Sequence, residues 1–191
     1  MDVTEPDSGF PALGKTHAKR SPFERGYTMS EILVVLAILA FVLMFSLTHA
    51  IGWMGRVESR GAVYSVQSFL QRARMEAVSR NRACRFTLDT ATRRIRVFDL
   101  VDAASNSDDL LLSDTTLSPK ISFARPDFGS AVTLASISGT TYGATFASDG
   151  SLSAGAGVVS LLGGAGYLRV SLYGAGGAAV ERWDGTSWVA P

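Results

Sequence analysis

From residue 32 to residue 55 the chain carries no Asp, Glu, Lys or Arg, and this apolar run sets the frame for everything after it. A helix rises about 1.5 Å per residue, so the run is long enough to cross a hydrocarbon layer roughly 30 Å thick. It predicts a membrane span over residues 27–55. Beyond it Ala62, Val66, Phe69, Leu70, Ala73 and Ala77 recur at spacings of three and four, while Arg72, Arg74 and Arg80 fall between them. That is the pattern of an amphipathic helix, placed here over residues 56–82. No proline occurs between Pro22 and Pro119, so one helix can run from Tyr27 to about Arg80, with Gly52, Gly55 and Gly61 as the places where it can bend.

At Cys84 the period changes from helical to alternating. Cys84, Phe86 and Leu88 alternate with Arg85, Thr87 and Asp89, and Ile95 and Val97 alternate with Arg94 and Arg96 across a Thr-rich turn at residues 90–92. This predicts a hairpin with one buried face. Residues 99–114 read as an acidic loop with weak strand character at 110–112. Further strands are expected at 121–123, 132–134, 145–146, 158–162, 167–173 and 179–183, separated by glycine-rich joints, with Asp184-Gly185 as a last tight turn between Trp183 and Trp188. The fold class is therefore α+β, a long N-terminal helix packed on a mainly antiparallel β region over residues 83–191.

Net charge is +1, so bulk electrostatics select no partner, but the charges are unevenly spread. Arginines dominate residues 56–96 and aspartates dominate 99–127, which suggests head-to-tail contact between subunits or two solvated faces of one domain. Cys84 is the one cysteine, which rules out an internal disulfide and fits a small buried apolar residue. Residues 1–25 hold three prolines and no apolar periodicity, the composition of a disordered tail. Lys15, Lys19, Arg20 and Arg25 flank the span, so this end is expected in the cytoplasm and the C-terminal bulk outside.

Glu31 does not fit a plain span. A carboxylate just inside the apolar edge costs about 1–3 kcal/mol, and a residue of this kind marks a functional site that needs a cationic partner. Cleavage between Gly26 and Tyr27 would create one, a new amino group a helical turn away or on a neighbouring copy. The string Arg25-Gly26-Tyr27-Thr28-Met29-Ser30-Glu31, followed by an apolar helix, resembles the class III signal of type IV pilins and type II secretion pseudopilins. The resemblance implies that residues 1–26 are a cytoplasmic leader. A membrane prepilin peptidase would cut after Gly26 and methylate the Tyr27 amine, and Glu31 would be the assembly glutamate. Tyr27, Met29 and Ser30 replace the commoner Phe, Leu and Ile. An ordinary signal anchor or a cleavable secretory signal are the plainer readings, although Thr48-His49-Ala50 is a poor secretory cleavage site.

A second resemblance narrows the family. Residues 69–82 look like the L-x-x-A-R-x-E-A-x-x-R-N segment of H-type minor pseudopilins and FimT/FimU-like minor pilins, and Phe146-Ala147-Ser148-Asp149-Gly150-Ser151 resembles their F-x-x-D-G-x turn. In that segment Arg74, Glu76 and Asn81 are candidates for satisfying backbone groups where helix meets sheet, or are solvated surface. The family implies a type IV pilin-like fold and a single-pass protein of the bacterial inner membrane with a periplasmic domain. Its partners would be other pseudopilins or minor pilins, the prepilin peptidase, an inner-membrane assembly platform and membrane lipid.

Little in the chain points to catalysis. His17 and His49 are the only histidines, one in the tail and one in the span, so the exterior domain offers no Ser-His or Cys-His pair and no His ligand for a metal. No cofactor is expected. Asp102, Asp108, Asp109 and Asp114 could gather round Ca²⁺ but lack the spacing of a dedicated loop. Nucleic acid is the competing partner, as in DNA-binding FimT-like pilins, yet residues 174–179 hold no basic cluster and only Arg169 and Arg182 lie near.

Overall fold

The structure, a computed structural model, describes residues 26–101 and 108–191, with the side chains of 46–51 left aside. Residues 1–25 of the leader expected at 1–26, with His17, lie outside the described residues, as do the His49 side chain and Asp102. The chain divides into two units, Met1–Met44 and Phe45–Pro191. Helix α1, Met29–Arg80, contributes to both.

In the first unit the apolar side chains from Ile32 to Met44 are 50–72% exposed. Each would gain about 1.5–3 kcal/mol on leaving water, so this surface is built for another solvent or another helix. Among the described residues no helix is long and apolar enough to cross a membrane.

The second unit is one α+β domain. Its part of α1 buries Ala62, Val63, Val66, Leu70, Ala73 and Ala77, the predicted stripe with Val63 added and Phe69 at its margin. The helix stops where expected. Asn81 takes φ 51°, Arg82 N–H donates to Ala77 O at 3.1 Å and Asn81 N–H to Val78 O at 3.3 Å, the two bonds of a Schellman cap. Asn81 thus satisfies the helix carbonyls through its backbone conformation.

All strand pairs are antiparallel. The first sheet contains β1 (Cys84–Asp89), β2 (Arg94–Asp99), β3 (Leu110–Thr116), β5 (Ala135–Ser138), β6 (Thr141–Phe146) and β7 (Leu152–Ala154), in the order β3-β2-β1-β6-β5 with β7 also on β6. The second contains β4 (Ser122–Phe123), β8 (Gly157–Gly163), β9 (Gly166–Leu172), β10 (Ala178–Trp183) and β11 (Trp188–Val189), in the order β11-β10-β9-β8-β4. Both contribute to one core around the helix stripe, with Phe86, Leu88, Ile95 and Phe146 from the first and Val159, Leu161 and Val170 from the second.

The predicted hairpin is β1–β2, with Phe86 opposite Val97 and Leu88 opposite Ile95. Asp89 closes its turn by accepting from Ala91 N–H at 2.9 Å and Thr92 Oγ1 at 2.7 Å. Two expectations need correction. The acidic loop is a full edge strand at its end, because β3 continues to Thr116 and sets Asp114 against the arginines of β2. Residues 132–134 form only one bridge, Val132 to Val159, rather than a strand. The Thr133 hydroxyl accepts the Val158 N–H at 2.8 Å, replacing ladder pairing by a side chain, and the regular strand begins at Ala135.

Candidate functional site

Gly26, Tyr27 and Thr28 form an irregular exposed segment ahead of α1, and among the described residues Gly26 has no atom within 4 Å of where a Cβ would stand. Thr28 is the N-cap. Its Oγ1 accepts from Glu31 N–H at 3.3 Å, and Glu31 Oε2 accepts in return from Thr28 N–H at 3.4 Å. This reciprocal pair is a capping box, T-x-x-E, which satisfies two of the amides that open a helix. The spacing was readable in the sequence but was overshadowed by the glutamate's depth in the apolar edge. Glu31 consequently has a neutral partner within its own chain, while its Oε1 has no hydrogen-bond partner among the described residues. Tyr27, Glu31, Ile32, Val35 and Leu36 line one hollow of about 310 Å³. The carboxylate is thus fixed at the helix start beside an apolar hollow.

The rest of the candidate segment is architectural. Glu76 accepts from Arg80 Nε at 2.8 Å and lies 3.9 Å from Arg72 Nε, and Arg80 also reaches Asp99 at 3.3 Å. The Phe146–Gly150 turn is held by Asp149 Oδ1, which accepts from Ser151 N–H at 2.8 Å and Oγ at 2.6 Å and keeps the Asp149 carboxyl below its ordinary range. Gly150 sits at φ 79°, where a Cβ would stand 3.0 Å from Val78 and 3.2 Å from Arg74 Nε. The family-like turn thus packs on the family-like helix segment. At the other end of the domain's helix, Gly164 lies so close to Gly55 that a Cβ would fall 2.5 Å from the Gly55 carbonyl carbon. Ser59 Oγ donates to Gly55 O at 2.7 Å and accepts from Ala165 N–H at 3.3 Å. Glu58 accepts the Ser118 hydroxyl and pairs with Lys120 at 3.5 Å, and the Ser118 bond, ahead of the Lys120 charge, lowers its pKa.

Among the described residues, charges expected to run head to tail meet within the chain at three places. Arg80 faces Asp99, Arg85 faces Asp109 at 3.7 Å, and Arg94 pairs with Asp114 through Nε at 2.9 Å. Two of the four candidate calcium aspartates are therefore opposed by arginines, Asp108 is exposed, and no metal-holding cluster of acids, His or Cys occurs among the described residues. Burial pushes the Asp109 carboxyl above its usual range despite Arg85. Cys84 is fully buried, and burial, then the Asp99 and Glu76 carboxylates, push its thiol up to about 11, which makes it a poor nucleophile. Of the two arginines near the candidate nucleic-acid segment, Arg169 donates to Glu181 at 2.6 Å and stacks 4.3 Å from the Trp188 ring centroid, while Arg182 is exposed.

Two profiles match the chain. The family described as "Type II transport protein GspH" matches residues 62–176, more than half of the chain, and the "Prokaryotic N-terminal methylation motif" matches residues 22–47, which contain Gly26, Tyr27 and Glu31. No curated protein matches. Among solved structures, the type IV minor pilin FimU of Pseudomonas aeruginosa is similar at 17% identity and a TM-score of 0.46, over 66% of this chain and 90% of that one. The minor pseudopilin EpsH of the Vibrio cholerae type II secretion system is similar at 18% identity and a TM-score of 0.37, over 70% of this chain and 96% of that one.

Proposed function

The chain belongs to the family of the type II transport protein GspH, and from that premise we propose that it is a minor pseudopilin, a structural subunit of the type II secretion pseudopilus. The observation that carries the reading is the methylation motif over residues 22–47 on the same chain as the family match over 62–176. In this reading residues 1–26 are a cytoplasmic leader, and residues 27–55 hold the subunit in the inner membrane with the β domain in the periplasm. A prepilin peptidase hydrolyses the peptide bond between Gly26 and Tyr27 and methylates the new amine. The exposed apolar surface of α1 is then covered first by lipid and, after assembly on the inner-membrane platform, by the helices of other pseudopilins. Glu31 accepts the Tyr27 amine of a neighbour. Pairing the two charges in a low-dielectric bundle favours one axial register, because an unpaired buried carboxylate is costly.

The role is structural rather than catalytic. The competing reading is a minor type IV pilin of the FimT/FimU kind that binds DNA. It has less support, since Arg169 is engaged by Glu181 and Trp188 and few cations remain beside it to neutralise phosphates.

Intact-mass and N-terminal peptide mass spectrometry on membranes from cells with a prepilin peptidase tests the proposal. The expected chain begins at N-methylated Tyr27. One that begins at Met1, or near Ile51, overturns it in favour of a signal anchor or an exported domain.

A further inference from the structure

Phe128 is 97% exposed, and its backbone stands at φ 56°. The left-handed region is a strained place for a bulky side chain, and here the strain delivers no ring to the core, so the fold gains from neither. The turn around it is nevertheless firmly built. Pro126 presets its backbone, and Phe128 N–H donates to Arg125 O at 3.3 Å. Asp127 braces both sides, accepting from the Arg125 guanidinium at 2.6 Å and from Gly129 N–H at 3.3 Å. The Ser130 hydroxyl donates to Val132 O at 2.8 Å. Both feet of the turn rest on β8, since Ser122 and Phe123 lie opposite Leu162 and Leu161 and Ser160 N–H donates to Ala131 O at 2.7 Å. β4 ends the second sheet, so the turn leaves that sheet at its edge.

We propose that Phe128 is a preset anchor that inserts into an apolar socket on the exterior domain of a different, neighbouring pseudopilin. The inference rests on the reading of the chain as a pseudopilus subunit and adds to the helix bundle a contact between exterior domains. A ring whose backbone is fixed before binding loses little freedom on insertion, which is the condition of an interface hot spot. Arg125 and Asp127 neutralise each other beside it, so the socket it fits is apolar with an uncharged rim. A bilayer surface would be met by several apolar side chains and cations, whereas exposed Asp127, Gly129 and Ser130 surround this ring. Nucleic acid would need unpaired cations beside the aromatic, and Arg125 is paired. A second copy of this chain is a poorer socket. Its cleft of about 510 Å³ beside Met54 and Ile121 also holds Glu58 and Lys120, 3.5 Å apart, and a ring seated there would strip water from both charges.

The test uses the full chain in cells that carry the other pseudopilins. With p-benzoylphenylalanine in place of Phe128, ultraviolet light should join the chain to another pseudopilin, and peptide mass spectrometry should place the joined residue in that protein's exterior domain. Phe128→Asn, which suits the left-handed backbone, should bind that pseudopilin about thirtyfold more weakly between purified full-length chains in detergent, the loss of one hot spot. Its thermal midpoint should be at or above wild type. A lowered midpoint makes Phe128 a structural residue and overturns the inference. Wild-type affinity in Phe128→Asn, no photoproduct, or a photoproduct only with lipid, nucleic acid or a second copy also overturns it, and the proposed function stands as long as the wild-type chain still co-purifies with other pseudopilins. A wild-type chain that associates with no other pseudopilin overturns both.

Discussion

Glu31 has two jobs open to it, and they can be separated by one pair of substitutions. In the isolated chain its carboxylate closes the capping box with Thr28 through contacts of 3.3 and 3.4 Å on an exposed helix end. Contacts that long and that wet contribute about 0.5 kcal/mol, the low end of the range for an N-terminal cap. In the assembled bundle the same carboxylate would neutralise a neighbour's Tyr27 amine. Removing one member of a buried ion pair costs about 3–5 kcal/mol, because the other charge is left uncompensated. At about 1.4 kcal/mol per tenfold, even the lower figure reduces incorporation at least a hundredfold. Gln at this position serves a capping box as well as Glu does, whereas Ala does not. If charge pairing is the function, Glu31→Gln and Glu31→Ala should both insert in membranes, both be cleaved, and both be lost from filaments pulled down with the other pseudopilins, as read by quantitative mass spectrometry. If E31Q enters filaments at the wild-type level while E31A does not, Glu31 acts as a cap and the ion-pair reasoning fails. Wild-type incorporation of both would remove Glu31 from assembly altogether.

Three further outcomes follow from the domain. Cys84, with its thiol pushed up to about 11, should resist iodoacetamide near pH 8 until the domain unfolds, so rapid alkylation of the native chain would show the packing around β1 to be wrong. Asp184 is held down to about 2, chiefly by the amides of Ser187 and Thr186. Its folded value lies below its ordinary one, so its support for the β10–β11 turn is complete above about pH 4 and fades as pH falls through about 2. The near-UV circular dichroism of the Trp183–Trp188 pair, whose ring centroids are 5.4 Å apart, should report this loss, and Asp184→Asn, which keeps the acceptor without the titration, should abolish the pH dependence. Gly164→Ala should lower stability by about 1–3 kcal/mol, since the new methyl meets the backbone of Gly55 and one of the two must retreat. A thermal midpoint equal to wild type would refute that close approach.

The architecture was legible to the extent that one solvent or one period governed a stretch. The stripe on α1, its end near Arg80 and the β1–β2 hairpin all follow from spacing, because each has one face in the core and one in water. The division into two sheets could not be read, since strand order depends on pairings between residues far apart, such as Cys84 with Phe146. Residues 132–134 misled because Val132 and Leu134 are buried as strand residues would be, yet Thr133 bonds through its side chain. The extent of β3 was hidden for a different reason. Its aspartate looked like loop chemistry until Arg94 paired with it across the ladder. At the candidate site the glutamate stood out by its cost, while the threonine three residues earlier, which gives it a partner, looked like filler.

The close approach of Gly55 to Gly164 also fixes where the domain can be cut. Val63, Val66 and Leu70 belong to the core, and Ser59 bonds the β8–β9 turn through Ala165. A soluble version beginning at Ala62 would keep the stripe but leave that turn with no helix to rest on. One beginning upstream of Gly55 keeps both, at the expense of carrying Trp53 and Met54 into water. The natural boundary for protein production is thus set by two glycines and a serine rather than by the last residue of the apolar run.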